Sequence, residues 1–146
     1  MEMKIKTLVI NESNSFSILL SDNEDKKILP IVIGPLEAQA IALSMQNEKP
    51  PRPLTHDLLK SICDNMGGEI ERIIITDLKD ETFYAEIHLK LQDTTIAVDS
   101  RPSDAIVIAL KSKAPIFMSN KLIEFTLNYE DIFYDGEYDE DSQELH

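Results

Sequence analysis

The chain has one cysteine, no tryptophan and only four glycines among its 146 residues. A lone Cys63 can build neither an intramolecular disulfide nor a cysteine-rich zinc site. Gly34, Gly67, Gly68 and Gly136 have neither the Rossmann nor the P-loop spacing, which argues against a nucleotide cofactor on a glycine-rich loop. No apolar run approaches the ~20 residues of a membrane span, and Met1-Glu2-Met3-Lys4 leads straight into an alternating pattern rather than a secretory leader. The expectation is a soluble, cytoplasmic protein with no membrane partner. Bases are scarce too: 14 lysines and arginines against 27 acids leave a net charge of −13. So acidic a chain lacks the basic stripe on which nucleic-acid binding ordinarily rests.

What is present is a repeat. An offset of 67 places Phe16 on Phe83, Leu29 on Ile96, Ile31 on Val98, Pro35 on Pro102 and Glu37 on Asp104. The run Ile41-Ala42-Leu43 then falls on Ile108-Ala109-Leu110. Self-similarity at a fixed period indicates a repeated structural unit. Here the unit is three strands followed by a helix that opens on proline, where the missing N–H costs nothing.

The first copy, about residues 2–47, reads as strands Lys4–Ile10, Ser15–Leu20 and Ile28–Ile33, with asparagine and serine marking the first turn. Ile28–Ile33 is apolar on both faces, the pattern of a central strand. Its helix runs from Pro35 to about Asn47, with Ala38, Ile41, Ala42 and Met45 on one face. A proline-rich linker ends at Pro53. Thr55 then suits the N-cap of a second helix, whose apolar face is Leu58, Leu59, Ile62, Cys63 and Met66 and whose end is Gly67-Gly68. The second copy, about 69–114, has strands 69–78, 82–91 and 94–99 and a helix from Pro102 to about Ser112. A strand from Pro115 to Met118 and a short helix from Asn120 to Thr126 follow. The fold class is α+β: a duplicated β-β-β-α unit in a mixed or antiparallel sheet, with an intervening helix and a C-terminal strand-helix extension. Residues 1–128 form a single domain. Residues 129–146 form an acidic tail whose charge favours disorder and whose aromatics Tyr129, Phe133, Tyr134 and Tyr138 suit docking on this protein or a basic protein partner. Open sheet edges make a homo-oligomer a further expectation.

Two polar constellations stand out. In Asp99-Ser100-Arg101-Pro102-Ser103-Asp104 a strand end runs into a helix start, gathering two carboxylates, a guanidinium and two hydroxyls near backbone N–H groups that favour anions. An acid at the third helical position also stabilises a helix start by itself, and that is the simpler role for Glu37 and Asp104. In Arg52-Pro53-Leu54-Thr55-His56-Asp57 a histidine opens a helix, where it can serve as general acid, base or ligand, while Thr55 and Asp57 also read as capping residues. His88 belongs on the polar face of an alternating strand, Cys63 on a buried helix face, and the terminal His146 needs no role.

Leu29-Pro30-Ile31-Val32-Ile33-Gly34 with Glu37-Ala38, then Arg52 to Leu58, then Asp99 to Ala105, in this order and spacing, resemble the bifunctional nuclease domain family over about residues 4–126. The resemblance implies hydrolysis of phosphodiester bonds in RNA and DNA. It implies catalytic roles for His56, Asp57, Asp99, Arg101 and Asp104, and substrate binding by Arg52, Arg101 and Ser103. A divalent cation, Mg²⁺ or Mn²⁺, on Glu37, Asp99 and Asp104 would activate water. The contrasting expectation is a noncatalytic protein-interaction or small-anion-binding module, its polar signatures serving as caps.

Overall fold

The computed structural model describes residues 1–47 and 49–133. Strands β1 (Glu2–Ile10), β2 (Phe16–Asp22) and β3 (Lys27–Ile33) form one antiparallel meander, and α1 (Pro35–Met45) follows. After the linker and α2 (Thr55–Asn65), β4 (Gly68–Lys79), β5 (Thr82–Leu91) and β6 (Thr94–Ser100) form a second meander, and α3 (Pro102–Ser112) follows. The bounds of β3 and β6, and of α1 and α3, differ by the same 67 residues at both ends. The period seen in the sequence is therefore also the spacing of the elements.

The two meanders meet through a third party. β7 (Ile116–Met118) lies between β4 and β1, parallel to the former and antiparallel to the latter. The resulting order is β6-β5-β4-β7-β1-β2-β3-β8, where β8 is Leu127–Asn128. The sheet is mixed, with β4–β7 as its parallel pair among the described residues. A 3₁₀ helix, Asn120–Phe125, connects β7 to β8, and a single turn, α4 (Tyr129–Ile132), follows.

Scarce glycine shows in the turns. Asn14, Asp25, Asp80, Glu81 and Gln92 take positive φ between 51° and 65°, the left-handed conformation in which asparagine and aspartate are better tolerated than most side chains. Among the described glycines, the one that needs its freedom is Gly67, which ends α2 at φ 81°.

α3 is the centre of the helical layer and packs against α1, α2, β4 and β5. Five consecutive residues, Ala105 to Ala109, are buried. A helix apolar on all sides is stable only when neighbours cover all sides, and the sheet with two flanking helices does this. Burying each isoleucine in this layer contributes about 1.5–3 kcal/mol.

Several local expectations change. β3 lies next to the edge strand β8 rather than at the centre, and only Val32, 67% exposed, breaks its apolar burial. Its burial is completed from the C-terminal side: β8 pairs with Lys27 and Ile28, and Tyr129 N–H donates to Lys26 O at 2.9 Å. Tyr129 and Phe133 dock on this chain, their rings 4.8 Å apart and both beneath the Lys6 ammonium. Residues 129–133 therefore belong to the fold, while Tyr134, Tyr138 and the rest of the acidic tail lie outside the described residues. Met45 leaves the buried face of α1 at its last turn. Leu54, not Thr55, is the N-cap of α2, and with no side-chain acceptor there the terminus relies on Asp57 reaching back to Leu54 N–H.

The largest departure is the orientation of α2. Its inward positions are His56, Asp57, Lys60 and Cys63, whereas Leu58, Leu59, Ile62 and Met66 are 54%, 48%, 49% and 72% exposed. The helix is amphipathic as its pattern requires, but its apolar face points away from the body.

Candidate functional site

Three helix starts converge. Gly34-Pro35 opens α1, Leu54-Thr55 opens α2 and Arg101-Pro102 opens α3, and none of the three receives a cap from its own N-cap side chain. Positive helix ends and undirected N–H groups are thereby gathered near one place. At α1, Glu37 folds back beside Gly34, its Oε1 lying where a Cβ would otherwise sit.

The side chains at these starts form one network. His56 Nε2 and Asp104 Oδ1 are 2.9 Å apart, joining the first turns of α2 and α3. Arg101 forks onto the same carboxylate, with Nε 3.0 Å from Oδ2 and Nη2 3.3 Å from Oδ1. Its Nη1 reaches Glu37 Oε2 at 3.5 Å, bringing α1 into the cluster. Burial pushes the Asp104 carboxyl up, but Arg101 and His56 outweigh it and hold the group below the usual carboxylate range. The Arg101 guanidinium is raised in turn, by Asp104 first. Asp104 is therefore ionised at neutral pH and accepts from both neighbours.

The capping role expected for acids at these starts separates the residues. Asp57 performs it: Oδ2 accepts from Leu54 N–H at 2.9 Å, and Oδ1 meets Lys111 Nζ at 2.6 Å. It faces the far end of α3 rather than the His56 network. Asp104 does not, since its two oxygens serve Arg101 and His56 side chains, and Glu37, although folded back beside Gly34, accepts its side-chain hydrogen bond from Arg101.

Asp99 does not join the cluster either. In the β5–β6 register it lies beside Glu86, while Val98 lies beside the buried Ile87. Alternation along the strand sends Asp99 to the sheet face opposite the helices. Arg52 is exposed in the linker, outside the lining of the cavities at the site. Ser103 is buried and lines the site beside Arg101. His88 lies on the far sheet face between Arg72 and Glu86. Cys63 is half-buried against Gly68, and burial pushes its thiol up, away from the thiolate.

A cavity of about 150 Å³ is bounded by Leu36, Glu37, His56, Arg101, Ser103 and Asp104. His56 also borders a second cavity of about 270 Å³, with Leu54, Lys49 and Lys111. Beyond it, sharing Lys49 and Lys111, opens a groove of about 540 Å³ that adds Lys60 and Lys113. Lys111 is the residue that motif reading missed. Its one signal is a base in the last turn of α3, which alone means no more than a favourable helix end.

The cation expected on Glu37, Asp99 and Asp104 does not fit this donor set. Asp99 faces the other side of the sheet, and the guanidinium of Arg101 occupies the position of positive charge between Glu37 and Asp104. Among the described residues no group of three or more histidine, cysteine, aspartate or glutamate side chains is placed to hold a metal ion.

An imidazole paired with an ionised carboxylate, beside a forked guanidinium at the lip of a cavity, is equipment for moving a proton next to an anion. The chain belongs to the bifunctional nuclease domain family, whose sequence profile matches residues 18–128. An uncharacterized protein of Mycobacterium tuberculosis is 41% identical over 106 residues, covering 73% of this chain and 63% of the relative. Bifunctional nuclease 2 of Arabidopsis thaliana is 30% identical over 112 residues, 75% of this chain and 34% of the plant protein. Bifunctional nuclease 1 of Oryza sativa subsp. japonica is 26% identical over 108 residues, 72% and 33% respectively. The chain thus spans under two thirds of the mycobacterial relative's length and about a third of the plant proteins.

Proposed function

We propose that this chain hydrolyses phosphodiester bonds in single-stranded RNA and DNA at the His56–Asp104–Arg101 cluster. The observation that carries the reading is the 2.9 Å His56–Asp104 contact with Arg101 forked on the same carboxylate. Asp104 accepts from the Nε2–H of His56, which leaves Nδ1 as the lone-pair nitrogen. That nitrogen takes a proton from the attacking water as the new P–O bond forms, and Asp104 stabilises the imidazolium that results. The solvent-facing edge of Arg101 binds the phosphate and opposes the charge that builds on it in the transition state. The departing oxygen takes its proton from solvent.

Net charge is the standing objection to a polyanionic substrate, and the local distribution answers it. Lys49, Lys60, Lys111 and Lys113 line the grooves that continue from His56, and Asp57 and Asp64, paired with Lys111 and Lys60, line them too. The excess of base over acid gives the strand a locally positive path on an otherwise acidic surface. No step requires a protein-held metal ion, so cleavage persists in excess EDTA; strict dependence on added Mg²⁺ or Mn²⁺ would overturn this part of the reading.

The test is cleavage of single-stranded RNA and DNA oligonucleotides by purified protein. His56→Ala and Asp104→Asn each lower the rate by roughly 10²-fold or more, the usual range for losing general acid–base catalysis. Cleavage undiminished in both variants would place the activity elsewhere.

A further inference from the structure

We propose that the outward face of α2, together with the open edge of β6, is the contact surface of a homodimer. Among the described residues, β6 ends the sheet with no partner strand on its outer side. Open edges in soluble proteins are usually blunted by lysine, proline, a bulge or short length. β6 has none of these: it is seven residues long, carries neither lysine nor proline, pairs with β5 without a register shift, and is uncharged from Thr94 to Val98. Its Ile96 and Val98 are each 41% exposed and point to the same side of the sheet as Leu89 and Ile87.

α2 packs on α3 and on the start of β4, on the helix-bearing side of the sheet. A Cβ added to Gly68 would meet Cys63 Sγ at 2.8 Å and Leu89 Cδ1 at 3.0 Å, so the inner side of α2 near its C-terminus comes close to Leu89, the register partner of Ile96. Its outer side presents Leu58, Leu59, Ile62 and Met66 to solvent on the helix-bearing side of the sheet, the side to which Ile96 and Val98 also point. Together the six side chains expose roughly 500 Å² of apolar surface, toward the upper end of what the largest patch on a monomer shows. A stable interface takes about 800 Å² per partner, somewhat more than half of it apolar, so the area available matches the need.

The occupant is a second copy. An uncharged strand edge is its own complement when turned about a two-fold axis, and the same rotation lays one α2 against the other. Two copies of a chain with net charge −13 also meet with least repulsion where neither presents a charge. Antiparallel pairing of β6 with its mate would join two eight-stranded sheets into one, and Leu54 and Leu36 would carry apolar surface from the contact toward the rim of the His56 site.

Sedimentation velocity and light scattering on the full chain test this. Wild type should sediment with twice the 16.6 kDa chain mass at low micromolar concentration. Leu58→Asp with Ile62→Asp, and separately Val98→Lys, should halve the mass while the far-UV spectrum stays unchanged, because all three side chains are solvent-facing in the monomer. Leu58→Gln with Ile62→Gln provides a milder pair should the aspartates disturb the helix. Ile10→Asp, at an exposed position on β1, should leave the dimer intact. A wild type that stays monomeric at about 100 µM would assign the face to some other occupant and overturn the proposal. So would a dimer that survives either the α2 or the β6 changes.

Discussion

Asp57→Ala separates a folding role from a chemical one within a single motif. The carboxylate accepts from Leu54 N–H and pairs with Lys111, and their side chains are 28% and 19% exposed respectively. Losing the bond that holds the start of α2 costs about 1 kcal/mol. Losing a half-buried ion pair between α2 and α3 costs about as much again, once discounted for the solvent that reaches it. The total of about 2 kcal/mol corresponds to a melting temperature lower by roughly 7 °C for a domain of this size. The pH dependence identifies the cause. Lys111 first, and Leu54 N–H second, hold the Asp57 carboxyl below its usual range against the opposing effect of burial. With the folded pKa depressed, the stabilisation is complete above the unfolded value of about 4 and is lost as pH falls through the lower folded value. Thermal melts by circular dichroism at pH 7 and at successively more acidic values should therefore show the gap between wild type and Asp57→Ala closing. An unchanged melting temperature at pH 7, or a gap that does not narrow in acid, would refute the capping and pairing roles.

Two further outcomes test the frame that carries the site. Ile106→Ala, at a fully buried position of α3, should cost about 3 kcal/mol in urea unfolding and weaken cleavage only through the folded fraction. Gly67→Ala should cost about 1 kcal/mol from backbone strain alone, because φ is 81° and nothing lies within 4 Å of the added carbon.

Much of the architecture was legible because its signals are local. Proline at a helix start and strand alternation fix elements to within a residue or two, and the 67-residue offset pairs β3 with β6 and α1 with α3. Amphipathicity, by contrast, says that α2 has an apolar face without saying which way that face points. Burial is the usual answer, and it fails here because the inward side of α2 is committed to His56, Asp57 and Lys60. Asp99 looked like a neighbour of Asp104 in the sequence, but a strand and a helix meet between them, and strand alternation turns its side chain away. Lys111 is remote from Asp57 in sequence and became its partner only through the packing of α2 on α3. The acids were read as caps, and only the contacts show that Asp57 caps while Asp104 and Glu37 do not.

The position of β7 has a consequence for how the chain is made. Synthesis proceeds from the N-terminus at about 5–20 residues per second, and domains tend to fold as they emerge. The first meander can form early, yet the strand that fills the gap between β1 and β4 is Ile116–Met118, delivered near the end of the described chain. Until then β1 and β4 each present an unpaired edge, and a truncation before Ile116 would leave both edges open permanently. Such a fragment would retain α1, α2 and α3 and every residue of the His56–Asp104–Arg101 cluster, but its two half-sheets would be free to pair with other chains.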